Sequence, residues 1–176
     1  MTDLTSFVRG RLPGDRNLDQ SELVELATAI GQLPEFWRRL VRHDPGERVY
    51  VQLYRDPHID VWMICWLDDQ KTGYHDHDLS SGAVYVCEGT LVEDRFHLGA
   101  RGLRHASRKR HPGRAFAFDA AYIHGVRHAG GAPASSIHCY SPPLWRMGYY
   151  DADEQGSLVR NSLSYLEEVA EGHSHH

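Results

Sequence analysis

The chain has 176 residues, of which 41% are hydrophobic and 24% charged, a composition typical of a folded globular domain rather than a disordered chain. Its net charge of −5 at pH 7 provides no positive field for nucleic acid or an anionic membrane. No stretch reaches the ~18 apolar residues of a membrane span, and the first residues lack the apolar segment of a secretory signal. We therefore expect a single domain over residues 1–176, with neither nucleic acid nor membrane as a partner.

The N-terminal quarter, residues 1–45, is predicted to form a helical cap. Residues 19–22 have the form of a capping box, and apolar residues follow at helical spacing as far as Ile30. Pro34 is well placed to open a second short helix that runs to Val41. The period of the pattern changes after this region.

Residues 48–151 are predicted to form a mainly β barrel. Apolar and polar residues alternate from Val49, and the turn Asp56–His58 joins the first two strands into a hairpin. Many short strands separated by turn residues indicate a sandwich or barrel. The His-rich tail at 172–176 is expected to be disordered. The further predicted strands are Ala83–Cys87, Thr90–Phe96, Gly102–Ser107, Ala115–Phe118, Tyr122–His128 and Ser135–Tyr140.

The three cysteines, Cys65, Cys87 and Cys139, each lie in an apolar run. This placement favours buried, reduced thiols over a disulfide framework. We therefore predict a cytoplasmic protein.

The sharpest local motif is the pair His75 and His77. Residues two apart in a strand point to the same face, so both imidazoles can reach one metal ion. An isolated H-x-H pair also arises by chance on polar surfaces. A third candidate ligand, His124, lies in another alternating strand.

Two longer motifs carry a resemblance to a known family. The stretch from His75 to Gly89, HDHDLSSGAVYVCEG, resembles the first cupin motif of cysteine dioxygenases and related thiol dioxygenases. Residues 136–144, SIHCYSPPL, resemble the C-terminal signature of that family, and the run Met63–Trp66 also fits. The resemblance covers about residues 48 to 151, with the motifs in the same order. It implies a cupin fold, a double-stranded β-helix or jelly-roll barrel, with Fe(II) held by His75, His77 and His124.

The residue chemistry agrees with this implication. Ser81 and Gly82 stand where many cupins carry a glutamate ligand, so the site has no carboxylate. Three neutral imidazoles leave a divalent ion its full charge and open positions, which favours an anionic thiolate as a further ligand. Zinc would fit three histidines equally well. The resemblance selects iron, and it implies that dioxygen oxidises a small thiol to the sulfinate.

Ser136, His138 and Tyr140 fall at alternate positions, so they share one face of a strand. An ordinary half-buried strand would show the same alternation, and no G-x-S-x-G motif supports a serine hydrolase. The resemblance implies a hydrogen-bonded catalytic relay that ends with the Tyr140 hydroxyl near the metal. Gly82 stands where mammalian relatives carry a cysteine cross-linked to this tyrosine, so Tyr140 is expected to be unmodified.

The substrate-binding residue departs from the relatives that oxidise cysteine, which usually carry an arginine on the early strand. Gln52 takes that place and is predicted to face inward beside Tyr50 and Tyr54. Glutamine there resembles the branch that prefers 3-mercaptopropionate or similar thiol acids. Arg55 is the rival candidate, although strand alternation puts it on the opposite face unless a bulge shifts the hairpin. Cysteine and mercapto acids both stay open as substrates.

The expected partners are a small thiol and dioxygen, and the expected state is a monomer or a weak homo-oligomer. Two other functional classes remain open. The first is another metal-dependent cupin enzyme, such as a zinc or nickel isomerase or a dioxygenase of carbon substrates. The second is a non-catalytic metal-binding cupin module, which a fourth protein ligand and a closed coordination shell would favour.

Overall fold

The computed structural model describes residues 3–99, 102–152 and 158–164. The predicted disordered tail at 172–176 lies outside the described residues. The N-terminal region contains helix α1 (Leu4–Arg9), helix α2 (Gln20–Gly31) and two short 3₁₀ turns, Pro34–Phe36 and Arg38–Leu40. Within the described ranges, no helix is both long and apolar enough to cross a membrane.

Helix α2 begins at the predicted capping box. The Asp19 carboxylate accepts a hydrogen bond from the backbone N–H of Glu22, and the Glu22 carboxylate accepts one from the backbone N–H of Asp19, both at 2.9 Å. These two bonds satisfy amide groups that the first helical turn leaves without intrahelical partners. The capping-box prediction is therefore confirmed.

The prediction of a second helix from Pro34 to Val41 is wrong. The segment forms two 3₁₀ turns that are separated at Trp37, where φ is −132° and the backbone leaves the helical region. The Trp37 side chain is buried, and its indole N–H donates to the carbonyl of Gly31 at 3.1 Å. Docking of this large ring against the end of α2 accompanies the break in the helix.

The part of the chain that the structure describes contains eleven strands. Their order confirms the mainly β prediction, and the three-residue strand β3 and the last two strands are additions to it. The strands are β1 (Val49–Arg55), β2 (Asp60–Trp66), β3 (Tyr74–Asp76), β4 (Ser81–Glu88), β5 (Leu91–Gly99), β6 (Gly102–Arg110), β7 (Ala115–Phe118), β8 (His124–His128), β9 (Ala134–Ser141), β10 (Arg146–Ala152) and β11 (Leu158–Ser164).

The strands form two antiparallel sheets, as the jelly-roll prediction requires. One sheet has five strands in the order β1-β2-β9-β4-β7, and the other has six in the order β11-β10-β3-β8-β5-β6. Side chains from both sheets line one cavity, so the cavity lies between the sheets. The helices pack against the five-stranded sheet, where they share one hydrophobic cluster with strands β1, β2, β4 and β9.

The hairpin β1–β2 contains a bulge that the sequence pattern did not reveal. Its register shifts between Gln52 and Tyr54, so residues after the bulge change face. Tyr50 lines the cavity, whereas Tyr54 is buried in the cluster on the helix side. The prediction that Tyr54 lies inward beside Tyr50 is therefore wrong.

Candidate metal centre

Three histidines meet inside the cavity. His75 of β3 and His124 of β8 are direct partners in the antiparallel ladder, and His77 follows β3 immediately. The three side chains are at most 3% exposed, and one nitrogen from each lies within 4.8 Å of the other two. Sheet register therefore brings together the three histidines that the sequence analysis singled out.

The environment keeps these imidazoles neutral. Burial lowers the pKa of His75 and His77 well below the ordinary value, and the neighbouring histidines lower it further. Burial also lowers the pKa of His124, although Glu93 opposes that shift. Neutral imidazole is the form of histidine that binds metal ions.

Hydrogen bonds fix the orientation of two of the rings. The Nδ1 of His75 lies 3.1 Å from the Gly73 carbonyl oxygen, and the Nδ1 of His124 lies 3.0 Å from the Glu93 carboxylate. Both partners only accept, so we assign the hydrogen of each ring to Nδ1. The other nitrogen, Nε2, then keeps its lone pair for a ligand.

The third ring is held by packing instead. His77 stacks on Phe118 with ring centroids 4.3 Å apart and an interplanar angle of 22°. Its buried Nδ1 finds no hydrogen-bond partner among the residues that the structure describes. An orphaned polar atom in a buried site is unusual, and a bound ion or water is a common reason for one.

Glu93, which the sequence analysis missed, supports His124 from behind. This fully buried carboxylate accepts hydrogen bonds from His124, from the Tyr122 hydroxyl at 3.1 Å and from the Arg110 guanidinium. Burial opposes its ionisation, but the bonds from His124 and Arg110 prevail and lower the pKa of Glu93 to about 2. A carboxylate behind a histidine ligand fixes the ring and raises its basicity. Alternation from the apolar Leu91 along β5 could have pointed to it.

Asp76 anchors the backbone between the two neighbouring histidines. Its carboxylate accepts from the Tyr150 hydroxyl at 2.6 Å, from the Arg160 guanidinium at 2.7 and 2.9 Å, and from the backbone N–H of Gly148 and Asp78. Burial raises the pKa of Asp76, yet these bonds outweigh it and lower the value to about 2. The ionised Asp76 carboxylate therefore links β3 to β10 and β11, and it fixes the segment that carries both histidines.

The donor set fits a divalent transition-metal ion. Three neutral nitrogen donors converge, and no fourth histidine, cysteine or carboxylate joins the cluster within the described residues. Such a set suits iron or zinc and leaves coordination positions open for small molecules. The feature that would have favoured a purely structural metal, a fourth protein ligand, is not observed in this part of the chain.

A hydrogen-bonded relay lies along β9 on the opposite sheet. The Ser136 hydroxyl is 2.8 Å from His138 Nε2, and His138 Nδ1 is 3.2 Å from the Tyr140 hydroxyl. All three side chains are buried, and burial lowers the pKa of His138 to about 3. The predicted alternation therefore places these groups in contact.

Trp66 extends this relay and was also missed. Its indole N–H donates to the Ser136 hydroxyl at 2.9 Å. Because the serine oxygen accepts this bond, its own hydrogen is available for His138 Nε2, and Nδ1–H of His138 then donates to the Tyr140 oxygen. We assign this direction because it satisfies each group of the relay. It leaves the Tyr140 hydroxyl hydrogen for a bond to another group.

The two candidate substrate-binding residues on β1 turn toward one carboxylate. Gln52 is exposed, and its amide donates to Asp60 at 3.0 Å, while the Arg55 guanidinium donates to the other oxygen of Asp60 at 3.1 Å. The bulge brings both side chains to the same residue, so the alternative of a shifted hairpin holds instead of simple alternation. Neither lines the cavity. A contact of Gln52 with substrate would require its amide to leave Asp60.

The cavity wall is otherwise mostly apolar and aromatic. A side chain at position 82 would clash with the Phe118 ring, since a Cβ added to Gly82 would lie 2.4 Å from it. Arg48, just before β1, contributes to the wall and was overlooked in the sequence. The residues that line the cavity are Arg48, Tyr50, Trp62, Ile64, Thr72, His75, His77, Val84, Phe118, His124, Val126, His138, Tyr140, Leu144 and Met147.

Comparison with known protein families identifies the lineage of this site. The family described as cysteine dioxygenase type I matches residues 3–153. The chain belongs to the cysteine dioxygenase type I family. Membership supports a metal-dependent thiol dioxygenase of the cupin type, with a three-histidine metal site. The family's reaction implies a small-molecule substrate and dioxygen.

Solved structures similar to this member of the cysteine dioxygenase family share its fold. A cupin superfamily protein from Desulfitobacterium hafniense is 9% identical, with a TM-score of 0.50 over 60% of this chain and 87% of that chain. A recombinant oxalate oxidase in complex with glycolate is 13% identical, with a TM-score of 0.51 over 60% and 56%. At these identities the likeness concerns the fold alone.

Proposed function

We propose that this protein is an iron(II)-dependent thiol dioxygenase that oxidises a small thiol, either cysteine or a mercapto acid such as 3-mercaptopropionate, to the sulfinate. The observation that carries the proposal is a cluster of three neutral, buried imidazoles in one cavity with Tyr140, which no carboxylate of the described residues joins. The reaction joins one thiol and one dioxygen into one sulfinic acid. Sulfur loses four electrons and dioxygen gains them, so no organic cosubstrate is needed.

The histidines would hold the metal through their cavity-facing nitrogens. Iron(II) bound by His75, His77 and His124 would supply open positions for a thiolate and for dioxygen, together with the redox chemistry that joins them. The neutral donor set of the protein leaves the positive charge of the ion uncompensated. That charge favours an anionic sulfur ligand over a neutral one.

Tyr140, His138 and Ser136 would orient the reacting molecules. The relay fixes the Tyr140 oxygen through His138, and Trp66 and Ser136 fix His138 in turn. The Tyr140 hydroxyl can then donate to the substrate or to an oxygen atom of the developing product. A held donor of this kind needs little reorganisation during the reaction. The apolar wall limits the water that competes for it.

The cysteines support a reducing compartment. All three thiols are free, and Cys65 and Cys139 are buried. Proteins that carry free cysteines and no disulfide are common in the cytoplasm, which is the location we propose.

The direct experiment measures metal content and oxygen uptake. Protein purified without added metal should contain iron by plasma mass spectrometry. The iron-loaded protein should consume dioxygen with at least one of cysteine, 3-mercaptopropionate and cysteamine, in proportion to the sulfinate formed. A zinc-containing protein, or an iron-loaded protein inert toward all these thiols, would contradict the proposal.

The role of Tyr140 has its own test. Tyr140→Phe keeps the ring and removes the hydroxyl, so it should retain iron while kcat falls roughly 10- to 100-fold, the value of a hydrogen bond to a charged group. Tyr54→Phe is a matched control, because its hydroxyl bonds to Asp56 at 3.0 Å and its ring lies in the cluster on the helix side of the sheet. An unchanged kcat in Tyr140→Phe would remove Tyr140 from the chemistry.

A further inference from the structure

Among the described residues that line the cavity, Arg48 is the one that carries a permanent charge. The other polar groups of the lining are hydroxyls, an indole and neutral imidazoles, and none of these lining residues is acidic. The guanidinium of Arg48 makes no hydrogen bond and no ion pair with any residue that the structure describes.

Two aromatic rings orient the guanidinium of Arg48. Its central carbon lies 5.3 Å from the centroid of the Tyr50 ring and 5.4 Å from that of Trp66. Two aromatic rings restrict the conformations of an otherwise flexible side chain, so less entropy is lost when it binds a ligand. The side chain is half-buried, which weakens solvent screening of its charge.

Arg55, the arginine at the end of β1, differs from Arg48 because its charge is paired. Arg55 pairs with the fully buried Asp60, and its guanidinium lies 4.2 Å from the centroid of the Trp145 ring. Its charge is therefore compensated, and it does not line the cavity. Gln52 donates to the same aspartate. Of these three early polar residues, only Arg48 combines an uncompensated charge with a place on the cavity wall.

We infer that Arg48 binds the anionic group of the substrate, and that the site selects small thiols that carry a carboxylate but need no ammonium group. A planar guanidinium matches a carboxylate through two parallel hydrogen bonds. An ammonium group would find no carboxylate among the described lining residues to accept its hydrogen bonds, and it would lie in a field that is already positive. A mercapto acid without an amine therefore fits better than an amino thiol. The inference rests on the proposed function, because it takes a thiol as the ligand.

Anaerobic binding tests this inference apart from turnover. Isothermal titration calorimetry would measure 3-mercaptopropionate, its methyl ester and cysteamine binding to the iron-loaded protein without oxygen. The compared proteins are wild type, Arg48→Gln, Arg48→Met and the control Arg39→Gln, which changes an exposed arginine. Arg48→Met keeps an unbranched side chain against the two rings, so it replaces Arg48→Gln in the test if that variant does not fold.

The expected result is a selective loss. Both Arg48 variants should bind the acid roughly 10- to 100-fold more weakly, while binding of the ester changes by less than about threefold. Wild type should prefer the acid to cysteamine, and Arg39→Gln should match wild type. Equal losses for acid and ester, or an unchanged affinity for the acid, would overturn the inference.

The outcomes separate this inference from the proposed function. Binding of the acid that depends on Arg48 without any oxidation would uphold the role of Arg48 and refute the dioxygenase. If the acid is oxidised but binds the Arg48 variants with unchanged affinity, the dioxygenase is upheld and the role of Arg48 is refuted. Wild-type protein that binds none of these thiols would overturn both.

Discussion

Glu93 holds the His124 ring in the orientation that presents Nε2 to the cavity. The carboxylate is hydrogen-bonded to His124 at 3.0 Å, so it acts on a metal through that ring. It is itself fixed by Tyr122 and Arg110. The metal affinity of the site therefore depends on a residue that need not contact the ion.

We expect Glu93→Gln to weaken metal binding roughly 10- to 100-fold, the usual cost of losing a carboxylate behind a histidine ligand. An amide can present its NH₂ group to the His124 N–H, and it no longer compensates Arg110. The measurement is metal affinity by competition with a chelator. Glu88→Gln is the control, because Glu88 is partly exposed and pairs with the exposed Arg38. Equal affinities in the two variants would refute the role of Glu93.

At the residue scale, local spacing in the sequence predicted the histidines and the relay, but it did not predict the other residues of the site. His75 and His77 are recognisable because both lie in one short motif, and the relay because its members alternate along one strand. Arg48, Trp66 and Glu93 become neighbours of the site only through pairing and packing between distant strands. The β1 bulge reversed the faces of Tyr54 and Arg55, and no residue in the hairpin signals a bulge by its type alone.

The elements divide the protein into a cap and a catalytic barrel. Helix α2 covers the face of the five-stranded sheet that points away from the cavity, and its last residue, Gly31, sits against the Tyr85 ring of β4. A Cβ at Gly31 would lie 2.1 Å from the nearest ring carbon. The close approach of helix and sheet therefore requires glycine at this position.

Gly31→Ala should destabilise the fold by about 1–3 kcal/mol, the cost of overpacking a filled core. The change would gain at most about 1 kcal/mol from helix propensity, so the clash decides the sign. Chemical denaturation of the metal-free protein measures the effect. Glu25→Ala, an exposed change in the same helix, should be neutral or slightly stabilising. A Gly31→Ala protein as stable as wild type would show that the helix does not pack this closely.

The sequence pattern predicted most strands, including β9, in which every residue is buried. It missed β3, which has only three residues and exists through pairing with β8 and β10. It also overextended the second helix, because Pro34 signals a helical start while the burial of Trp37 determines where the turn breaks. Tertiary contacts therefore decided the elements that the pattern misjudged.

For the whole molecule, the metal site lies within the six-stranded sheet and faces the other sheet across the cavity. The histidines come from β3, the residue after it, and β8, which are paired strands. A bound ion would therefore cross-link part of the barrel wall. Binding to the folded state alone stabilises that state by mass action.

Metal binding should raise the melting temperature by several degrees. At a metal concentration about a hundred times Kd, the folded state gains about 2.7 kcal/mol. Differential scanning calorimetry with and without iron(II), under anaerobic conditions, gives the shift. His75→Ala should abolish it, whereas His58→Ala, a change outside the cluster, should retain it. Equal shifts in both variants would place the metal elsewhere.

The central claim is that the cavity inserts both atoms of dioxygen into a thiol sulfur. The most direct measurement incubates the iron-loaded protein with 3-mercaptopropionate under ¹⁸O-labelled dioxygen and determines the mass of the product. The account predicts a sulfinate that carries two labelled oxygen atoms, with one dioxygen consumed per thiol. Disulfide as the sole product, or a sulfinate without the label, would contradict it.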